Sequence, residues 1–394
     1  MRCHHILGVT LTTLLPLIAG AQQPTTLPTD QPTTHPHLHA AAAGYESGFF
    51  IREGVFALRI RSRVQARYTA EVLDGEQDKN AWSIPRARLA LRGHAFSPRL
   101  RYYFQLDFSK GSAELKDFFL TYQAIPSWLH LQIGQWKVPF SRQHITSSSK
   151  LEFVDRAITH DAMRAARDIG IAIHNGYTSS PRFEYVLGLF NGKDTKGVIT
   201  GPVQVDPTTG EGELIAGKAS NVPQHLDPSV VLRVAYNHAG IKGYEEADFA
   251  GGPLRFSLGG GLLVNFDADG DDASAVRSQL DFALKLHGFA AHGGAFLSTT
   301  QSGDAFGDQS LASVGFRVQV GFLMAQRVQL SARYAHVAPD GADNDQHEAL
   351  AGVTVYFYKH GLKWQSDGGA LLSEVGPNQT KTDVVVRSQL QFAF

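Results

Sequence analysis

Arginine recurs at alternate positions in two nearby runs: Arg59, Arg61, Arg63 and Arg67 between Phe56 and Tyr68, then Arg86, Arg88 and Arg92 between Ile84 and His94. In an extended strand, successive side chains point to opposite faces. The first run therefore presents Phe56, Leu58, Ile60, Val64, Ala66 and Tyr68 on one side, and the arginines with Gln65 on the other. One face wants hydrocarbon, and the other is too charged for a protein core. A wall between lipid and water satisfies both, which is the arrangement of a transmembrane β-barrel. A secreted β-sandwich, the rival all-β fold, would have to swallow the stripe at a prohibitive desolvation cost.

The N-terminus reads as a secretory signal over residues 1–21. Arg2 gives a positive start, Ile6 to Ile18 is largely apolar, and Ala19-Gly20-Ala21 fits a small-residue cleavage site before Gln22. Cys3, the sole cysteine, leaves with the signal, so disulfides do not hold the exported chain together. Residues 22–48, rich in Pro, Thr, His and Ala, read as a flexible leader, and residues 49–394 as the barrel. His35, His37 and His39 offer transition-metal donors, but they are read as part of a solvated linker. No cofactor or metal is assigned. No later segment has the ~20 consecutive apolar residues of a membrane helix. A formal net charge of −1 argues against nucleic acid as a partner.

Sixteen strand-like segments follow, at 55–69, 83–96, 100–108, 115–122, 129–136, 168–174, 182–190, 229–238, 254–266, 275–287, 289–299, 311–323, 327–336, 349–358, 361–366 and 384–394. Their connections mostly alternate. Ser97-Pro98-Arg99, Asn175 to Pro181, His287-Gly288, Ala325-Gln326 and Lys359-His360 are short; Val138 to Arg167, Asn191 to Pro228, Thr300 to Ser310, Val337 to Glu348 and Asp367 to Asp383 are long. Short periplasmic turns and long extracellular loops are the habit of outer-membrane barrels. Ala239 to Pro253 breaks the pattern, being long where a short turn belongs. The chain ends with Leu390, Phe392 and Phe394 on one strand face, which resembles the C-terminal insertion signal of bacterial outer-membrane proteins.

Leu131-Gln132-Ile133-Gly134-Gln135-Trp136-Lys137-Val138-Pro139-Phe140, then Leu151-Glu152-Phe153-Val154-Asp155-Arg156, Arg167-Asp168-Ile169-Gly170 and Gly188-Leu189-Phe190-Asn191-Gly192 follow one another in an order and spacing that resembles the phosphate-selective porin O and P family. The resemblance implies a sixteen-stranded, usually trimeric barrel in the outer membrane, passing small anions, with phosphate or polyphosphate as candidates. It also implies that the connection Val138 to Arg167 folds inward and narrows the pore. Lys150, Glu152, Asp155, Arg156, Arg164 and Arg167 are then the constriction candidates.

If the apolar parity of each strand faces lipid, the lumen receives Arg59, Arg61, Arg63, Arg67, Arg86, Arg88, Arg92, Arg101, Arg233, Arg255, Arg277, Lys285, Arg317, Arg333, Lys363 and Arg387, against Asp107, Asp117, Glu184 and Asp281. Arginine on the lipid face would cost about 2–4 kcal/mol at the midplane. The first two strands should form a hairpin with Arg67 beside Arg86, Gln65 beside Arg88 and Arg61 beside Arg92. Like charges so placed repel, and either passing anions or the acids of a plugging loop can offset them. Arginine suits oxyanions because its planar fork gives two hydrogen bonds to one group. Asp267-Ala268-Asp269-Gly270-Asp271-Asp272 resembles a small calcium loop without the distal glutamate of an EF-hand; it is read as a solvated hairpin tip, with a divalent-cation bridge to lipopolysaccharide as the other reading. Two rival functions stay open: a closed barrel serving as an anchor, and a barrel hydrolase built around His144 with Ser147, Ser148 or Ser149. No nucleophile-elbow motif marks any of these serines.

Overall fold

The structure is a computed structural model that describes residues 41–163, 165–192, 198–200, 203–205, 212–214, 218–220, 228–266, 274–301, 310–339, 344–376 and 379–394. The signal, the leader histidines, Arg164 and the Asp267–Asp272 run lie outside the described residues.

A short hairpin of β1 (Ala42–Tyr45) and β2 (Phe49–Glu53) precedes the wall. The wall begins with β3 (Phe56–Val72), β4 (Lys79–Ala95), β5 (Ser97–Asp107), β6 (Glu114–Ile125), β7 (Leu129–Lys137), β8 (Arg167–His174) and β9 (Phe183–Phe190). Four short strands follow, β10 (Val198–Thr200) pairing with β13 (Lys218–Ser220), and β11 (Val203–Val205) with β12 (Gly212–Leu214). The wall resumes with β14 (Ser229–Asn237), β15 (Arg255–Asn265), β16 (Ser274–Leu286), β17 (Phe289–Gln301), β18 (Ser310–Met324), β19 (Val328–Ala338), β20 (Gln346–Tyr358), β21 (Leu362–Glu374) and β22 (Thr380–Ala393). Each wall strand pairs antiparallel with its neighbours, β9 with β14, and β22 returns to β3 from Val384↔Val72 to Ala393↔Arg63. The result is a closed barrel of sixteen strands, as the segment count anticipates. Closure removes the unpaired edges that an open sheet would present to lipid.

The alternation carries through the wall, with polarity inverted relative to a soluble protein. Ile133, Ile171, Leu232, Leu258, Leu280, Val318 and Leu330 are exposed, whereas Gln65, Arg233, Lys285, Gln319 and Lys363 are buried. Leu280, at the middle of β16, is 71% exposed and points outward. Leu280→Arg is expected to cost about 2–4 kcal/mol in a bilayer. It should reduce the fraction of chain that folds into lipid vesicles and shifts in SDS mobility on boiling; an undiminished fraction would place this face away from lipid.

Tight turns close one end. His287 and Gly288 (φ 46° and 89°) join β16 to β17, and Ala325 and Gln326 (φ 47° and 55°) precede β19. Two successive left-handed residues match the right-handed twist of the flanking strands, and Ala325-Gln326 adopts that turn without glycine. β2 continues the sheet at this end. It pairs with β3 from Phe49↔Ile60 to Glu53↔Phe56, just below the point where Ser62 and Phe394 exchange backbone hydrogen bonds of 3.1 Å each. Phe49 also meets the Phe394 ring at 5.5 Å.

One expected connection is corrected. The chain does not leave the wall at Asp367: β21 runs to Glu374 and β22 starts at Thr380, leaving only 375–379 between them. The charge and the Gly368-Gly369 pair look like a loop in sequence. In the barrel, Asp367 faces inward and accepts from Arg387 Nε (2.7 Å) and the Val154 backbone N–H (2.8 Å). A side chain at Gly369 would meet the Ala349 carbonyl oxygen at 2.0 Å, so glycine lets β20 and β21 approach.

Two connections enter the barrel from opposite ends. Residues 138–166, which include α1 (Arg142–Ile145) and α2 (Ile158–Met163), come from the long-loop end. Their partners are inward-facing wall residues: Phe140 O accepts from Gln279 Nε2 and Arg233 Nη1, Arg142 Nη2 donates to Ser257 Oγ, and Lys363 Nζ donates to Leu151 O. The anomalous stretch 239–253 comes from the short-turn end. Ile241, Tyr244 and Ala247 are buried, and Lys285 Nζ donates to the carbonyls of Lys242, Glu245 and Ala247. The two segments join where Glu246 N–H donates to Lys150 O (3.2 Å) and Glu152 N–H donates to Glu246 Oε2 (2.8 Å). A chain too long for a turn and rich in buried side chains is thus a second inward plug.

Candidate functional site

The β3–β4 ladder places Arg59 opposite Arg92, Arg63 opposite Arg88, Gln65 opposite Arg86 and Arg61 opposite Ala90. The expected register is therefore off by two residues. The strands pair from Glu71↔Lys79 at the hairpin end, and a bulge between Gln65 and Arg67 sets Arg67 against Ser83. Bulges re-aim side chains and are invisible to a strict alternation count.

The arginines separate into two groups. Arg59 Nη2 donates to Glu46 Oε2 (2.8 Å), Arg88 Nε to Asp107 Oδ2 (2.7 Å), Arg67 Nη1 to Asp155 Oδ2 (2.5 Å) and Arg86 Nη2 to Asp155 Oδ1 (3.2 Å). Burial alone would push the Asp155 carboxyl up, but Arg67 and Arg86 outweigh it and hold the group well below the ordinary carboxylate range. Arg61, Arg63 and Arg92 have no carboxylate partner among the described residues. Arg63 Nη1 donates to Ser147 Oγ (3.3 Å), and its buried Nε has no hydrogen-bond partner.

A cavity of about 1080 Å³ lies against this wall, with Arg59, Arg63, Arg88 and Arg92 on one side. Ser147 and Ser148 of the inward loop, together with short-turn residues such as Ser127 and Pro181, also line it, which places the space between that loop and the short-turn end.

The constriction candidates take different places. Lys150 is half-buried and offers its carbonyl to Glu246. Asp155 docks the loop on the arginine wall. Arg156 holds the loop's own shape, donating to the carbonyls of Gln143 (2.9 Å) and Thr146 (2.6 Å). Arg167 opens strand β8 rather than lying in the loop, and donates twice to Asp117, at 3.0 and 3.2 Å. Glu152 is buried where the two plugs meet. Gln319 Nε2 donates to its Oε2 (2.7 Å) and also to Glu246 Oε2 (3.0 Å), and Gln329 Nε2 donates to Glu152 Oε1.

Burial, reinforced by the negative charge of Glu246, raises the Glu152 carboxyl from its ordinary 4.5 to about 8. Between those values the folded barrel keeps a proton that the unfolded chain has lost. Stability should therefore be complete below pH 4.5, fall as pH rises to about 8 by up to about 1.4 kcal/mol per unit, and then level off. Glu152→Gln, neutral throughout, is expected to flatten that slope in denaturant titrations across the window; an unchanged slope would contradict the assignment.

The acids of the two plugs revise the expected charge balance. Glu152, Asp155, Glu246 and Asp248 come from connections, and Glu348 and Asp367 from strands, yet all of these face the lumen side. Arg255 donates to Asp248 (2.8 Å), Arg333 to Glu348 (2.6 Å), and Arg233 and Arg142 to Asp281 (2.7 and 3.0 Å). Three arginines without a carboxylate partner among the described residues, Arg61, Arg63 and Arg92, thus crowd the adjacent strands β3 and β4, while Lys285 and Lys363 on other strands are held by backbone carbonyls. Tyr244 and Glu246 escape the sequence reading because they act from a connection. The length of 239–253 was the signal available. The hydrolase arrangement does not form: His144 is bonded to His160 Nε2 (3.2 Å) and Ala166 O (3.2 Å), while Ser147 Oγ faces Ser149 Oγ.

Residues 58–239 match the phosphate-selective porin O and P family, so the resemblance read from the motifs holds over that stretch. An uncharacterised protein of Aquifex aeolicus (strain VF5) is 25% identical over 299 residues, which span 67% of this chain and 64% of the relative, less than two thirds of its length. Among solved structures, the chain is similar to the anion-selective porin from Comamonas acidovorans, with a TM-score of 0.58 and 11% identity over 86% of this chain and 99% of that one. It is similar to the outer membrane channel DcaP of Acinetobacter baumannii, with a TM-score of 0.59 and 12% identity over 86% and 98%. The trimer form of OmpT of Vibrio cholerae gives a TM-score of 0.52 and 10% identity over 86% and 100%. At such identities the likeness is one of fold, and that fold is the outer-membrane porin barrel.

Proposed function

We propose that this chain is an integral porin of the bacterial outer membrane, exported through a cleaved signal, that passes small inorganic anions passively along the arginine wall of β3 and β4. The observation that carries the reading is the division of that wall. Arg61, Arg63 and Arg92 lack carboxylate partners among the described residues, and Arg63 and Arg92 border an open cavity of about 1080 Å³. Fixed guanidinium groups attract anions and repel cations, and a row of them lets an ion move between neighbours without a deep trap. Phosphate is the favoured anion, because the planar fork bonds two of its oxygens at once and because the matched family carries that name. The outward apolar face fits lipid and lipopolysaccharide, and a homotrimer is the proposed assembly, by analogy with the OmpT trimer form.

A second reading is favoured by one observation: two plugs joined inside the lumen describe a closed barrel acting as an anchor. Planar-bilayer recording separates the readings. The porin should give discrete single-channel steps carried by chloride, reduced on adding phosphate as it competes for the same arginines. Absence of steps from heat-modifiable, folded protein would favour the anchor.

A further inference from the structure

A cluster of metal-ligating side chains stands outside the lumen, at the long-loop rim. His336 lies two residues before the end of β19, and its direct cross-strand partner is His347, the second residue of β20. Their neighbours Arg333, Ala335, Val337, Glu348 and Leu350 are buried on the inward parity, so both histidines belong to the outward parity. The rings stack at 4.6 Å with an interplanar angle of 21°. Asp345, just before β20, brings Oδ2 to 2.9 Å from His336 Nε2, and its backbone carbonyl is fixed by the Glu374 N–H at 2.9 Å.

We propose that His336, Asp345 and His347 form a binding site for a divalent transition-metal ion of the zinc class. The three side chains each offer one donor atom, and these atoms lie within 4.8 Å of one another. A tetrahedral ion with bonds of about 2.0–2.1 Å holds its donors roughly 3.3 Å apart. Small rotations of three half-exposed side chains close that difference. Two imidazoles with one carboxylate suit zinc, nickel, cobalt or copper, whereas calcium and magnesium prefer sets made of oxygen. The Tyr334 hydroxyl lies 2.9 Å from His347 Nδ1, which orients the ring and leaves its other nitrogen for an ion, as outer partners of metal-binding histidines commonly do. Three protein ligands leave the remaining position open toward the outer surface. The alternative for these rings is a plain aromatic ladder, since Phe316 and Tyr334 continue the same row.

The test is calorimetric titration of the full chain, folded in detergent and free of any polyhistidine tag, with zinc chloride. The parent and each variant share the leader histidines, so differences report the rim alone. His336→Asn with His347→Asn should remove one zinc equivalent. Asp345→Asn, a loop change that leaves the ladder intact, should weaken the same equivalent at least tenfold. Cobalt should give a ligand-field absorption band in the parent that the double variant lacks. Heat-modifiable mobility in SDS verifies that each variant is folded. Equal stoichiometry and affinity in the parent and both folded variants, or a parent that binds no zinc, would overturn the site.

Discussion

Asp281→Asn is expected to yield a barrel that still assembles but unfolds more easily by about 3–5 kcal/mol, the usual cost of breaking a buried ion pair by removing one partner. Asp281 accepts from Arg233 Nη1 (2.7 Å) and Nη2 (3.0 Å), and from Arg142 through both Nε and the backbone N–H at 3.0 Å each. All three side chains are almost fully shielded from solvent. Asparagine keeps one acceptor oxygen but turns an NH2 toward two guanidinium groups, so buried Arg142 loses its counter-ion and Arg233 keeps only Glu184, at 3.4 Å. Because Arg142 begins α1, the same change loosens the start of the inward loop, and single-channel conductance should rise and become noisier. Denaturant titration in detergent micelles reads the first effect. Adding Arg142→Gln to Asp281→Asn should recover part of the loss, since the orphaned charge is removed with it. A shift below about 1 kcal/mol would mean that this triad is solvated and does not hold the loop.

The second large effect is on ion selection. Replacing Arg61, Arg63 and Arg92 together with alanine should lower anion preference strongly while leaving the fold intact. None of the three has a carboxylate partner among the described residues, so their loss orphans no acid. It also relieves the direct oppositions of Arg59 with Arg92 and Arg63 with Arg88. Replacing Arg67 and Arg86 should behave differently. They hold Asp155 of the inward loop, so their removal leaves it only Arg387, at 3.9 Å, and should cost stability more than selectivity. If the triple variant folded with the parent's selectivity, the ladder would be structural, and Lys150 with Arg156 on the inward loop would be the better filter candidates.

Much of the barrel is legible because its physics repeats at every second residue. Lipid forces one parity to be apolar and water frees the other, so Leu258, Leu280 and Leu330 can be assigned without any tertiary information. The features that escape are those where a residue's role depends on a distant partner. Asp367 reads as a loop acid until Arg387 and Val154 are known to face it. The β3–β4 register slips because β4 carries one extra residue at Ile84-Pro85, a bulge opposite Ala66 that strict alternation does not count. The 239–253 segment announces itself only as too long. That its Glu246 reaches Glu152, arriving from the other mouth, depends on folding in three dimensions. The same holds for the ladder: alternate spacing brings seven arginines to one face, but which of them are neutralised is decided by Glu46, Asp107 and Asp155 from three separate elements.

The central claim is that unneutralised arginines on β3 and β4 select anions. Its most direct test is the reversal potential of single parent channels in a potassium chloride gradient, measured at low and at high ionic strength. Preference for chloride over potassium is predicted, fading as salt shortens the screening length from about 10 Å at 0.1 M to about 3 Å at 1 M. A channel that prefers potassium, or whose chloride preference ignores ionic strength, would contradict it.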